Sequence, residues 1–137
     1  IIMATETKNR YIEAVGRRKT AIARVRITPS TKTSFVVNDK DVKEYFVTED
    51  LQSIAQEALS KSEIAEKFTV TVQVMGGGIH AQAEAVRHGL SRTLVERDEV
   101  VKNTLKKLGF LKRDSRQVER KKFGLKKARK APTWSKR

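Results

Sequence analysis

The sequence predicts an α+β fold: one sheet with helices packed against it, followed by a basic extension. Two strand-like regions carry the first part, residues 10–37 and 68–75, where β-branched and aromatic residues cluster and one segment alternates with period two. Apolar stripes at helical spacing in residues 51–59, 79–97 and 98–109 carry the second. The third observation is residues 112–137, with twelve Lys or Arg, two acids and four large apolar side chains. That segment is too poor in apolar residues to bury a core. It is expected to stay extended or disordered until an anionic partner orders it. Early strands followed by a helix, a strand and more helices give the order β-β-β-α-β-α-α.

Residues 1–9 are read as a disordered N-terminus, without the apolar core of a signal peptide and too poor in basic residues for a transit peptide. Strand character begins at RYIEAV (residues 10–15) and pauses at the basic turn GRRKT. In TAIARVRI (residues 20–27), Ala21, Ala23, Val25 and Ile27 share one face, and Ile22, Arg24 and Arg26 the other. Pro29 ends that strand, since proline has no N–H for a ladder. Residues 34–37 form a short third strand, and Asn38-Asp39 is turn chemistry. Val42, Tyr45 and Phe46, at i, i+3 and i+4, give one or two helical turns.

Thr48 is placed to cap the next helix, with Glu49 and Asp50 favourable in its first turn. Leu51, Ile54, Ala55, Ala58 and Leu59 mark its apolar face. FTVTVQVM (residues 68–75) is the most regular strand and runs into Gly76-Gly77-Gly78. The following helix is expected to present Ile79, Ala83, Val86, Leu90 and Leu94 on one stripe, with Arg87, Ser91 and Arg92 on other faces. Asp98 is placed to cap a last helix with Val101, Leu105 and Leu108 inside, and Gly109 to close it. The folded body is therefore drawn over residues 10–111 and the tail over residues 112–137.

At 137 residues there is room for one domain. The net charge of +14 is unevenly divided, because the first 111 residues hold 18 bases and 14 acids, and the excess lies mainly in the tail. Such charge speaks to partners, nucleic acid or an anionic membrane, rather than to fold. No apolar run approaches the roughly 20 residues of a membrane span. The tail's apolar residues form no helical stripe that would hold it on lipid, so no membrane partner is expected. The absence of cysteine excludes disulfides and thiol catalysis and fits a reducing compartment.

No catalytic residue, metal or cofactor is expected. The triple glycine lacks the Lys-Ser/Thr of a P-loop and the spacing of a dinucleotide fingerprint. It reads as a strand-to-helix turn, or as a place where an RNA backbone approaches a helix N-terminus. His80 and His88 point roughly 80° apart on a helix, and no carboxylate pairs obviously with both, which is poor ground for a metal. Nothing groups a nucleophile with a base and an acid, so neither an enzyme nor a small-molecule substrate is expected. Among the basic runs, Lys102, Lys106 and Lys107 read equally well as a solvated face. GRRKTAIARVRI differs: it has five cations in ten residues and no acid anywhere from Ala14 to Asn38 to neutralise them. Nucleic-acid contact is expected there and along the tail, which would reach roughly 85 Å at about 3.3 Å per residue.

Several of these motifs, in this order, resemble one family. GGGIHAQAEAVRHGLSRTL (residues 76–94), with three glycines, Gln82, small Ala85, Gly89 and basic Arg92, is similar to the signature of the S-nine family of small-subunit ribosomal proteins in its bacterial form. VGRRKTAIARVRI, VNDKDVKEYF and the tail RDSRQVERKKFGLKKARKAPTWSKR are also similar to family patterns, and the resemblance runs from Tyr11 to Arg137. Thr93 stands where the family usually has a smaller residue, and Trp134 where it often has another aromatic.

The resemblance implies a two-layer body with a small mixed sheet and a left-handed β-α-β crossover. It implies small-subunit rRNA, peptidyl-site tRNA and neighbouring ribosomal proteins of the subunit head as partners, in the cytoplasmic ribosome. Together with the charge pattern it makes Arg10, Arg17, Arg18, Lys19, Arg24, Arg26, Arg87, Arg92, Lys112, Arg113, Arg116, Arg120, Lys121, Lys122, Lys126, Lys127, Arg129 and Lys130 the expected rRNA contacts. The tip, Ser135, Lys136 and Arg137, is expected to meet tRNA. Composition alone also permits a free-standing protein that binds or condenses nucleic acid.

Overall fold

Four inward residues of the second strand and four of the fifth need a partner layer, and a single long helix supplies most of it. The computed structural model describes residues 11–135. Its strands are β1 (Ile12–Arg18), β2 (Ala21–Pro29), β3 (Ser34–Val37), β4 (Lys40–Asp41) and β5 (Phe68–Met75). Its helices are α1 (Val42–Tyr45), α2 (Glu49–Ser62), α3 (Ile79–Arg97) and α4 (Lys102–Lys107), with a 3-10 turn at Glu99–Val101. The expected order holds, with a two-residue strand added after β3. The reading of residues 1–9 as disordered lies outside the described residues.

The sheet runs β1-β2-β5-β3-β4. β2 lies antiparallel between β1 and β5, β3 lies parallel to β5, and β4 returns antiparallel to β3. The sheet is therefore mixed, and its parallel pair is joined through α1 and α2, as a β-α-β connection requires. Asn38 and Asp39 turn the chain between paired Val37 and Lys40 with φ of 48° and 66°, the signature of a type I′ hairpin. Asn38 also extends the parallel ladder beyond β3. Its Nδ2 donates to the Val74 carbonyl and its Oδ1 accepts from the Val74 N–H, both at 2.9 Å.

Ala21, Ala23, Val25 and Ile27 of β2, with Phe68, Val70, Val72 and Val74 of β5, are buried under the helices. The opposite sheet face, with Ile22, Arg24, Thr71, Gln73 and Met75, is exposed. α3 touches β1 and β2 on one side and α2 on the other. That position corrects the single-stripe expectation. Ala81, Ala83, Ala85, Val86, Gly89, Leu90, Ser91, Thr93 and Leu94 are all buried, whereas Ile79 is 46% exposed. A helix between two layers must bury two faces, and small or self-satisfied residues fill the second. Ser91 and Thr93 each donate a hydroxyl to a carbonyl of their own helix, Arg87 at 2.8 Å and Leu90 at 2.7 Å.

The approach of α3 to β1 is close enough to require glycine on both sides. A Cβ on Gly16 would stand 1.9 Å from the Ala85 carbonyl oxygen, and one on Gly89 would stand 2.7 Å from a Val25 methyl. Capping follows the sequence in part. Thr48 occupies the N-cap of α2 without a side-chain bond, and the Asp98 side chain accepts from the Val100 N–H, capping the 3-10 turn rather than α4 itself. α4 closes in a Schellman motif, with Phe110 N–H bonded to the Leu105 carbonyl and Gly109 N–H to that of Lys106. Leu108, expected inside, is 44% exposed, and Phe110 is buried in its place. No helix or strand follows among the described residues of the tail.

Candidate nucleic-acid interface

The expected basic turn is strand as far as Arg18: Arg17 and Arg18 end β1, Lys19 opens the two-residue turn into β2, and this corner sits at the end of the sheet where β5 meets α3. A Cβ on Gly76 would stand 2.6 Å from the Thr20 carbonyl oxygen, and Gly76 has a φ of 79°. The glycine run is therefore needed for a strand-to-helix turn that packs on the basic turn. Gln82 braces it, donating to the Gly76 carbonyl at 3.0 Å and accepting from the Tyr45 hydroxyl at 2.7 Å.

Three cations with the same sequence expectation have different surroundings. Arg17 and Lys19 are exposed and pair with no acid among the described residues. Arg18 is 14% exposed and held from four sides. Its Nε lies 2.5 Å from a Glu84 carboxylate oxygen of α3. Its Nη1 donates to the carbonyls of Asp114 and Arg116 at 3.2 and 2.7 Å and lies 3.3 Å from the Asp114 carboxylate. Arg18 is thus a latch that fixes the direction in which the tail leaves the body. Asp114 is in turn gripped by Arg116. A hydrogen bond from the Arg116 side chain, then one from its backbone N–H, with the charge of Arg18 adding, holds the Asp114 carboxyl well below the usual carboxylate range.

His88 pins the same junction. The Arg17 N–H donates to its Nδ1, and its Nε2 lies 3.3 Å from the Leu111 carbonyl, also 3.3 Å being the first distance. This network assigns the proton to Nε2 in a neutral ring. Burial lowers the His88 pKa; the Leu111 bond opposes that, and Arg92, Arg113 and Arg87 add to it. The cleft among Arg17, Arg18, Glu84, Arg87, His88 and Asp114 has a volume of about 40 Å³, room for a water or two rather than for a nucleotide. A more open cleft of about 390 Å³ adjoins it, lined by Gly109 and residues 112–116.

On the exposed sheet face, Arg24 and Arg26 both reach Glu13 of β1, at 3.1 and 3.5 Å, and the Arg26 guanidinium stacks 4.6 Å above the Tyr11 ring. Arg26 Nε is shielded from solvent and makes no hydrogen bond. The expectation of a basic stretch without neutralising acids is therefore corrected: Glu13, Glu84 and Asp114 come from outside the stretch and neutralise part of it. Arg87 is drawn inward, 3.0 Å from Glu57 and 4.8 Å above the Phe110 ring. Arg92 is exposed and donates to the Val15 carbonyl at 2.6 Å. Along the tail, Lys112, Arg113, Arg120, Lys121, Lys126, Lys127 and Lys130 are exposed without an acidic partner among the described residues, while Lys122 and Arg129 both pair with Glu119. Ser135 is exposed. Arg10, Lys136 and Arg137 lie outside the described residues.

Unpaired Arg17 and Lys19 thus stand beside the root of the tail, and unpaired cations continue along it. With that geometry in place, the comparison with known families is decisive: residues 16–137 match the family described as ribosomal protein S9/S16. The chain belongs to that family. It is a structural ribosomal protein that binds rRNA, with rRNA and other ribosomal proteins as partners. The family is generally non-enzymatic. Among the described residues no helix is long and apolar enough to cross a membrane.

Sequence reasoning missed the acids that organise the site. Glu13 was within reach of it, because a two-residue connection pairing Arg18 with Ala21 sets Glu13 opposite Arg26. Glu84, Asp114 and the pinning role of His88 carry no local signal, since their partners are 23 to 96 residues away.

Proposed function

We propose that this chain is the bacterial-type member of its family in the small ribosomal subunit, its body seated on rRNA of the subunit head. In this reading residues 10–111 form the rRNA-bound body and residues 112–137 a tail that threads inward among rRNA helices. The tip, Ser135, Lys136 and Arg137, contacts the backbone of tRNA in the peptidyl site. Among the expected rRNA contacts, the exposed cations act on phosphates directly. Arg18 and Arg87 instead hold the body and the root of the tail in shape.

The observation that carries the reading is the separation of unpaired from paired cations. Exposed, unpaired Arg17 and Lys19 sit beside the latched root, and unpaired lysines continue down the tail. Such contacts position a protein on a polyanion without reading bases. An exposed ion pair such as Arg129–Glu119 is worth only about 0–1 kcal/mol, so a phosphate can replace the carboxylate.

The test removes residues 135–137. Small subunits carrying the truncated protein should assemble with normal protein stoichiometry and bind tRNA more weakly at the peptidyl site. Equal tRNA affinity with and without the three residues would sink the tip assignment. Failure of the full-length protein to sediment with small subunits would sink the wider reading and favour a free-standing nucleic-acid binder.

A further inference from the structure

The tail contains a preformed element within its otherwise irregular course. Glu119, one of its two acids, pairs with Lys122 and with Arg129, the latter at 2.8 Å, which draws together residues ten apart. Inside that clip the Leu125 N–H donates to the Lys122 carbonyl at 3.3 Å, and Gly124 has a φ of 77°. An i to i+3 bond with a positive φ at the third residue marks a type II turn, with Phe123 at its second position. A further bond, Lys126 N–H to the Lys130 carbonyl at 2.8 Å, ties the far side of the clip. Leu125 and Ala128 are partly buried within it, whereas Phe123 is 97% exposed at its apex.

We infer that Phe123 is a stacking finger for an unpaired RNA base, held out by the Glu119 clip and steered to its target by the lysines around it. Resting on the rRNA-binding reading above, it adds a residue that senses base exposure to a tail otherwise limited to phosphate contact. The occupant follows from charge. Arg120, Lys121, Lys126, Lys127 and Lys130 flank Phe123 along the chain, exposed and without acidic partners among the described residues, and that setting repels a basic protein surface and attracts a polyanion. An aromatic ring in a cationic frame is how single-stranded RNA is held: phosphates on the frame, a base on the ring. A duplex keeps its bases stacked on each other and offers the ring nothing. Within residues 119–130 Leu125 is partly buried, and Phe123 is the large apolar side chain left exposed.

The experiment uses the full-length protein and two probes of equal length, a single-stranded oligoadenylate and an RNA duplex, at fixed salt. Phe123→Ala should weaken binding of the single strand by about 5-fold to 100-fold, the range for losing one base–aromatic stack, and leave duplex binding within 2-fold. Phe123→Tyr should restore the single-strand affinity. In a Phe123→Trp, Trp134→Phe variant, the lone indole should be quenched by the single strand and not by the duplex. Equal losses on both probes, or no loss on either, would overturn the stacking role. So would a Phe123→Ala protein that binds both probes normally but fails to enter small subunits, since that pattern identifies a protein pocket as the occupant. If the wild-type protein neither enters subunits nor binds either probe, the rRNA-binding reading itself has failed, which is a different result from any of these.

Discussion

At the residue scale, His88 shows how a side chain without chemistry of its own can carry a junction. It accepts from the backbone of the basic turn and bonds to the carbonyl of Leu111, where the body ends, so protonation would destroy its acceptor. Its folded-state pKa is lowered from 6.5, chiefly by burial. In the unfolded chain the ring takes up a proton near its ordinary value. As pH falls below about 6.5 the unfolded state therefore binds protons that the folded state does not, and stability declines until the lowered value is passed. The midpoint of urea unfolding should thus fall between pH 8 and pH 5 more steeply for the wild type than for His88→Gln, whose amide can both accept and donate. Parallel pH profiles for the two proteins would show that His88 does not hold the junction. Asp114 is depressed instead, so its pairing is present above the ordinary carboxylate range and is lost only in strong acid.

At the element scale, the contact between β1 and α3 sets where the basic turn sits, and two glycines set the contact. A Cβ at Gly16 meets backbone, the Ala85 carbonyl at 1.9 Å and the Gly89 nitrogen at 2.3 Å, and backbone cannot rotate away. A Cβ at Gly89 meets first a Val25 methyl, which can yield in part, and alanine improves helix propensity by about 1 kcal/mol. Gly16→Ala should therefore cost about 3 kcal/mol, at the upper end for overpacking, and Gly89→Ala distinctly less. Denaturant titration of both variants checks the order, and a harmless Gly16→Ala would show that the layers are not in close contact. The sequence made both elements legible, with α3 bounded as read and β1 running three residues past its expected end at Val15. It could not show that they touch. Strand and helix signals are local, whereas the need for glycine at 16 and 89 arises from a neighbour across 73 residues of chain.

At the scale of the whole molecule, charge is segregated. Residues 39–66 hold eight acids against three lysines, and two of those acids, Glu57 and Glu66, engage Arg87 and Arg97. Arg17 and Lys19 at the basic corner and seven cations of the tail have no acidic partner among the described residues. Each phosphate neutralised steepens the dependence of log affinity on log salt by about 0.7 to 0.9. Removing residues 112–137 should reduce the slope for an rRNA fragment by up to about 6, counting the seven unpaired tail cations described above. Neutralising Arg17 and Lys19 together should reduce it by about 2. Fluorescence anisotropy across a salt series measures both, and a slope indifferent to loss of the tail would place the binding charge elsewhere.

The sequence by itself determined the α+β class, nearly every element, the two faces of β2, and the basic tail. Those features rest on periodicity, turn chemistry and composition, which are properties of neighbouring residues. Only the tertiary structure decided which cations are available. It paired Arg24 and Arg26 with Glu13, drew Arg87 toward Glu57, and made Arg18 a latch on the tail while leaving Arg17 and Lys19 free of acidic partners among the described residues. It also folded Glu119 back on Lys122 and Arg129, giving shape to a segment whose composition promised only charge. The physical reason is the same in each case. An ion pair is set by distance in space, and distance in space is fixed by how sheet, helices and tail pack rather than by spacing along the chain.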